Sequence, residues 1–467
     1  MSPRLSSRRD AVLREMGLGP IWRLRTRKAE VSEADDAERE AAEPASTETD
    51  ATASPRVEVP RTPNPPPAAP APAAGPRSSV AFQAGPHRAA RPQPAAASTP
   101  AAAAITLPAA PQAAATAPSR PAAAPASAAS GSAKVMLRLR WERVPRVIGR
   151  VDARSLGVVI NEDDPYSVEV GEYYAARRQI PPEHVLRLRL PRHPRLSAGE
   201  AAQLRDTIER HFGADVQGLA LVWTQPWAAE CQSITSAVSL GLDADLCAHT
   251  CGKPAASRYF NSPSGAPWRD HSLRPSMLLA AGSVEAAKAL VDRGLAADGS
   301  LGLRGALPVH AYYMVTNDVR RSVRAPLFPP PGVLRGVAVT THVVPGDLPA
   351  GDDPLLLLQT GAPVLGGLER LNWVPGALAD HLTSYGGQLS GHSGQTSALA
   401  WIDAGATASF GTVSEPCNHI QKFPRPQTLL LHYLQGASAL EAYWKSVRWP
   451  QQGLFIGEPL AAPFARH

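Results

Sequence analysis

From Leu156 onward, short apolar runs alternate with amphipathic stretches. LGVVIN (Leu156 to Asn161), HVLRLRL (His184 to Leu190), GLALVW (Gly218 to Trp223), SMLLAA (Ser276 to Ala281), AYYMVT (Ala311 to Thr316), VAVTTHVV (Val337 to Val344), PLLLLQT (Pro354 to Thr360) and ATASFGT (Ala406 to Thr412) have the length and composition of strands. Tyr166 to Arg178 and Ser197 to Phe212, the second opened by a Ser197 cap, space their apolar residues as helices do. Most of the strands are apolar at successive positions, so both of their faces must be covered. The pattern predicts a three-layer α/β domain over residues 135–467, with a mainly parallel sheet and helices on both faces.

In parallel sheets, ligands bind outside the carboxyl ends of the strands. Polar residues collect there: Asn161 to Ser167 after the first strand, Thr224 to Trp227 after the third, Gln359-Thr360-Gly361, Thr383 to Gly387, and Ser414-Glu415-Pro416. Turn chemistry explains any one of these loops. As a set, expected along one edge, they predict a site for a small molecule or peptide with Asn161, Asp164, Ser167, Ser384 and Glu415 as ligand-binding residues. Most of the tryptophans read as core, and Trp227 and Trp373, in loops, are the two that could line a groove for a carbohydrate or peptide.

Composition changes the picture only ahead of this domain. The chain has 48 prolines in 467 residues, and residues 31–134 run from acidic to Ala/Pro-rich with few residues able to form a core. This stretch reads as a disordered linker. The net charge of +6 is a tail property: residues 1–30 hold eight Arg or Lys against three acids, which gives no specific nucleic-acid site. There is no run of about twenty apolar residues for a membrane span and no apolar core of a secretory signal. The expectation is a cytoplasmic protein as written, or an exported one if the leader is not the native start.

Residues 1–30 form a basic amphipathic segment, broken at Gly17, Gly19 and Pro20 and ending in an apolar stretch around Trp22. A peptide this short orders only on a partner. The pattern Ser7-Arg8-Arg9-Asp10, Leu13, Met16-Gly17-Leu18, Trp22, Leu24-Arg25 resembles the start of the psi subunit of the bacterial DNA polymerase III clamp loader, and the leader of some bacterial uracil-DNA glycosylases. The resemblance implies the chi subunit as partner of residues 1–28, bound through Arg8, Arg9, Leu13, Met16, Trp22 and Leu24, and hence a replication or repair accessory. No motif of the glycosylase catalytic domain follows.

Six further motifs, VVINEDDPYSVEVGEYYAARRQIPPEHV, LVWTQPWAAECQSITSA, PGALADHLTSYGG, WIDAGATASFGTVSEP, ALEAYWKSV and GEPLAAP, resemble in this order a conserved bacterial family without an established activity, whose members usually carry an export signal. Gly457-Glu458-Pro459 stands where that family commonly has Gly-Asp-Pro. In addition, a strand, Thr383 to Gly387, a helix ending in Ala404-Gly405-Ala406-Thr407 and another strand resemble the carboxyl half of caspase-like and gingipain-like peptidases. That likeness puts the nucleophile's place on Ser384 and the histidine's near Gln359 or Thr360. The dyad is then missing, which implies a noncatalytic or cryptic protein.

A hydrolase remains the alternative. Ser384 with His392 and Asp380 or Asp403 makes one catalytic set, and Cys417 with His419 another. Cys231, Cys247, Cys251 and Cys417 suit two disulfides, for example Cys247 to Cys251 and Cys231 to Cys417. Free buried thiols and, with His249 and His419, a metal site are the other readings, though C-x3-C is not a standard zinc spacing. Neither a phosphate-binding loop nor a G-x-G-x-x-G motif is present, so no cofactor and no metal is expected.

Overall fold

The computed structural model describes residues 139–302, 305–334, 336–390 and 393–466. The expected docking peptide (residues 1–30), with Arg8, Arg9, Leu13, Met16, Trp22 and Leu24, and the expected linker (residues 31–134) lie outside the described residues, as does His392.

The strands in chain order are β1 Leu156–Asn161, β2 Val185–Leu188, β3 Arg195–Leu196, β4 Gly218–Val222, β5 Ala228–Ala229, β6 Gln232–Ser233, β7 Ser276–Leu278, β8 Val309–Val315, β9 Gly332–Leu334, β10 Val339–Pro345, β11 Leu355–Thr360, β12 Trp373–His381, β13 Ala408–Thr412 and β14 Gly453–Gly457. Eleven of them form one sheet in the order β2-β1-β4-β7-β14-β13-β12-β11-β8-β10-β9, while β3, β5 and β6 make a small separate sheet. Every residue of β1, β4, β7, β11, β13 and β14 is buried, which requires cover on both faces. The expected mainly parallel, three-layer α/β architecture is present. One helix starts as the sequence indicates, with Ser197 and Glu200 forming a capping box on Ala198–His211, while Asp164, expected to bind a ligand, instead caps Pro165–Arg178.

The sheet has two directions. β2, β1, β4, β7 and β14 are mutually parallel, and so are β13, β12, β11, β8 and β10. The blocks meet where β13 and β14 pair antiparallel, from Ala408 opposite Gly457 to Thr412 opposite Gly453. Carboxyl ends of the first block therefore lie at the edge opposite to those of the second. This corrects the expectation of one polar edge, because alternating strands and helices report local parallel pairing but not how the last strand inserts between two blocks.

Two strands were poorly marked in sequence. GLFIG, which forms β14, is short and bounded by glycines. β12 contains Pro375 and Gly376, and passes them by a register shift against β11 between Leu355 and Leu357, with Gly376 at φ +88°. Glu458, just past β14, is fully buried and tied to the helix Pro165–Arg178: it accepts from Tyr174 Oη at 2.8 Å and from Arg178 Nε at 2.9 Å and Nη2 at 2.6 Å. The glutamate in the closing motif thus fastens the last strand to the first helix.

Candidate functional site

At the end of β1 every singled-out residue is used internally. Asn161 Nδ2 donates to Leu190 O, and Asn161 Oδ1 accepts from the N–H groups of Leu190 and Asp163. Ser167 Oγ accepts from Asn161 N at 2.7 Å, and Asp164 Oδ1 accepts from Tyr166 N while facing Arg192 at 3.6 Å. All three residues are buried. They fasten a strand-to-helix turn. Five strand spacings, about 24 Å, separate β1 from β12, and the two carboxyl ends point to opposite edges, so these residues do not share a small-molecule site with Ser384 and Glu415.

The second edge, past β11, β12 and β13, is chemically richer. Gln359 of β11 stands opposite Asp380 of β12 and donates from Nε2 to Asp380 Oδ2 at 2.7 Å. Asp380 Oδ1 accepts from Arg324 Nη1 at 2.6 Å, and the same guanidinium donates to the carbonyls of Pro424 and Thr360. Both charges are sealed from solvent. Asp380 is therefore spoken for by Arg324 and cannot orient a histidine beside Ser384. Asp403, the other acid considered, accepts from the backbone N–H of Gly282 on the first block.

His381 is the histidine nearest Ser384 in the described sequence. It is fully buried, its Nδ1 accepts from Trp401 Nε1 at 3.1 Å, and its Nε2 has no hydrogen-bond partner among the described residues. Burial, then the charge of Arg324, pushes its pKa down to about 3, so it is a neutral core group. Gly386 passes directly over the ring: a Cβ there would lie 2.7 Å from Nε2. Ser384 is half-buried, and its carbonyl accepts from Thr412 Oγ1 at 2.9 Å. Its hydroxyl has no hydrogen-bond partner among the described residues. Gln395 orders the loop around it, accepting at Oε1 from Thr383 Oγ1 and from Tyr385 N.

Beyond β13 the loop is stapled. The disulfides are Cys231–Cys247 and Cys251–Cys417, which corrects both the expected pairing and the thiol and zinc readings of these residues. Cys417 consequently has no thiolate to act as a nucleophile. Cys417 and Asn418 both hold left-handed backbone, at φ +57° and +61°, and Glu415 Oε1 accepts from Cys417 N at 2.8 Å across this turn. His419 is engaged with Cys251 O at 3.0 Å, not with a sulfur. Ser414 Oγ donates to Cys231 O at 2.6 Å, and Gln452 Nε2 donates to Ser414 Oγ and to Glu415 O. The segment between Cys231 and Cys251 is thus laid against the end of β13.

Trp227 and Trp373 are packing residues. Trp227 is buried with Nε1 donating to Ser390 Oγ, and Trp373 donates to Leu368 O and packs edge-on to Trp401. Lys422 and Arg324 were not singled out in sequence. Lys422 is buried with Nζ donating to Thr250 O at 2.6 Å, and burial, opposed by Glu415, pushes its pKa down to about 8. Neither has a local signal, because each reaches its partner across a long stretch of chain.

No family model matches the sequence, and no curated protein does. Among solved structures, one described as a protease covers 66% of this chain and 78% of its own at 11% identity, with a TM-score of 0.39. The Arg-specific cysteine proteinase gingipain R covers 67% and 78% at 13% identity, with a TM-score of 0.36. A complex of pro- and mature gingipain domains from Porphyromonas gingivalis covers 67% and 79% at 11%, also with a TM-score of 0.36. Likeness at this level concerns the outline of the chain and says nothing of its chemistry.

Proposed function

We propose that the domain is a noncatalytic binding module that takes a peptide or similar ligand at the carboxyl edge of β12 and β13, around Ser384 and Glu415. One observation carries this reading: no nucleophile and base meet at that edge among the described residues. His381 is buried, neutral and bonded to Trp401, Asp380 is paired with Arg324, and Cys417 is in a disulfide. Acyl transfer by a side chain needs a nucleophile within hydrogen-bond reach of a base. What the edge offers is a half-buried hydroxyl at Ser384 and a half-buried Glu415 whose Oε1 accepts from Cys417 N and whose other oxygen has no hydrogen bond among the described residues.

A serine hydrolase is the second reading, favoured by a Ser384 hydroxyl past a strand end that has no hydrogen-bond partner among the described residues. Two measurements on the full, non-reduced chain separate the readings. Fluorophosphonate and iodoacetamide probes are expected to label the folded protein no more than the heat-denatured one; labelling of Ser384 that requires the fold would overturn the noncatalytic reading. A displayed random-peptide library selected on the wild type is expected to lose its enrichment on Ser384→Trp and Glu415→Arg, and equal enrichment would place binding elsewhere. The two disulfides support the exported alternative for this domain, since such bonds persist in oxidising compartments. Recruitment by residues 1–28 to a clamp-loader chi subunit is a separate proposal, tested by mixing that peptide with purified chi.

A further inference from the structure

Three potential ligand atoms converge at the opposite end of the second block. His310 lies at the start of β8, His342 on the neighbouring β10, and Asp353 two residues before β11, which flanks β8 on its other side. One ligand atom from each lies within 4.8 Å of the other two. His310 Nδ1 and His342 Nε2 are 2.9 Å apart, and His310 Nδ1 is 3.7 Å from Asp353 Oδ2. A tetrahedral zinc ion with bonds of about 2.0–2.1 Å holds its ligand atoms about 3.3 Å apart. The two observed separations bracket that value.

The surroundings hold these groups in place. His342 stands opposite Tyr312 in the β8·β10 register, and the two rings stack at 4.3 Å with 10° between their planes. The Tyr312 hydroxyl donates to Asp353 Oδ2, orienting the carboxylate. His310 N–H donates to Pro354 O at 2.8 Å, which fixes the chain next to Asp353 against β8. Two imidazoles on adjacent strands and a carboxylate on the lead-in to a third, with a tyrosine ordering two of the three, is the arrangement of a metal site with its outer shell. A direct imidazole-to-imidazole hydrogen bond uses one proton and one lone pair, and leaves the carboxylate facing His310 Nδ1 without a share in it.

We propose that His310, His342 and Asp353 bind one transition-metal dication of the zinc class. The N2O donor set suits zinc, cobalt or nickel, and imidazole ligands disfavour calcium and magnesium. Asp353 is exposed and both histidines are half-buried, so a fourth coordination position faces solvent and is open to water or an external ligand. The site is independent of the edge at Ser384, because it lies at the amino ends of β8 and β11 and not at their carboxyl ends. It has no sequence motif, since its first and last ligands, His310 and Asp353, are 43 residues apart.

The test uses the full chain with its disulfides intact, so that no thiolate competes. Cobalt(II) titration followed in the visible range, and zinc competition against a chromophoric chelator, are expected to give one equivalent per chain. His342→Ala and Asp353→Asn are expected to abolish or weaken binding at least about 100-fold, and Tyr312→Phe by about 10-fold with the stoichiometry kept, as for an outer-shell partner. Asp353 is exposed, so its variant keeps the test informative if a histidine variant fails to fold. His419→Ala is expected to bind as the wild type does. No uptake of either metal at 100-fold excess, or unchanged uptake by Asp353→Asn and a His310/His342 double alanine variant, would overturn the proposal.

Discussion

Single buried side chains set how the protein responds to pH and substitution. His381 and His432 are both pushed down to about 3, mainly by burial, with Arg324 and Lys445 adding charge repulsion. In the unfolded chain each titrates near 6.5. Between those values the unfolded state binds protons that the folded state refuses, so stability rises with pH in this window, is complete above about 6.5 and is lost on acidification. Each histidine is expected to contribute a slope of up to about 1.4 kcal/mol per pH unit. Urea unfolding at pH 7.5 and pH 5 measures it, and His381→Gln should show a shallower dependence; an identical one would contradict the neutral buried state. Arg324→Met leaves Asp380 buried without its cation and is expected to cost about 3–5 kcal/mol, with the double change to Met and Leu recovering much of the loss.

Elements meet closely where two motifs of the sequence cross. Gly386-Gly387, after β12, runs against the backbone of Gly411 within β13: a Cβ on Gly387 would lie 2.5 Å from Gly411 O, and one on Gly411 would collide with the Gly386 backbone. Backbone on both sides leaves nothing that can turn away. Gly411→Ala is therefore expected to destabilise by about 1–3 kcal/mol or more, read from the urea midpoint. The glycine pairs first legible as turn chemistry are contact surfaces, and the loop they shape presents Ser384. The stapled loop after β13 depends on its disulfides in the same way. Reduction is expected to cost about 2–4 kcal/mol per bond and to expose Glu415 and Lys422, detectable as faster amide exchange confined to the segments around Cys231 to Cys251 and Ser414 to His419.

Across the whole molecule, β14 is the seam. It pairs with β13 on one side and β7 on the other, its Phe455 stacks on Trp444 at 4.5 Å and meets Phe410 at 5.2 Å, and Glu458 ties its end to the first helix. Because both blocks share it, calorimetry is expected to show one unfolding transition for residues 139–466, and Phe455→Ala is expected to lower stability by about 3–5 kcal/mol; two resolved transitions in the wild type would contradict the coupling. Apolar runs, the Ser197 cap and polar strand ends determined the α/β class, most strands and the position of Ser384, because these follow from local burial and backbone hydrogen bonding. They did not determine block direction, the cysteine pairing, the Arg324–Asp380 pair or the meeting of His310, His342 and Asp353. Those depend on which distant segments become neighbours, and only the inserted last strand and the packed sheet decided that.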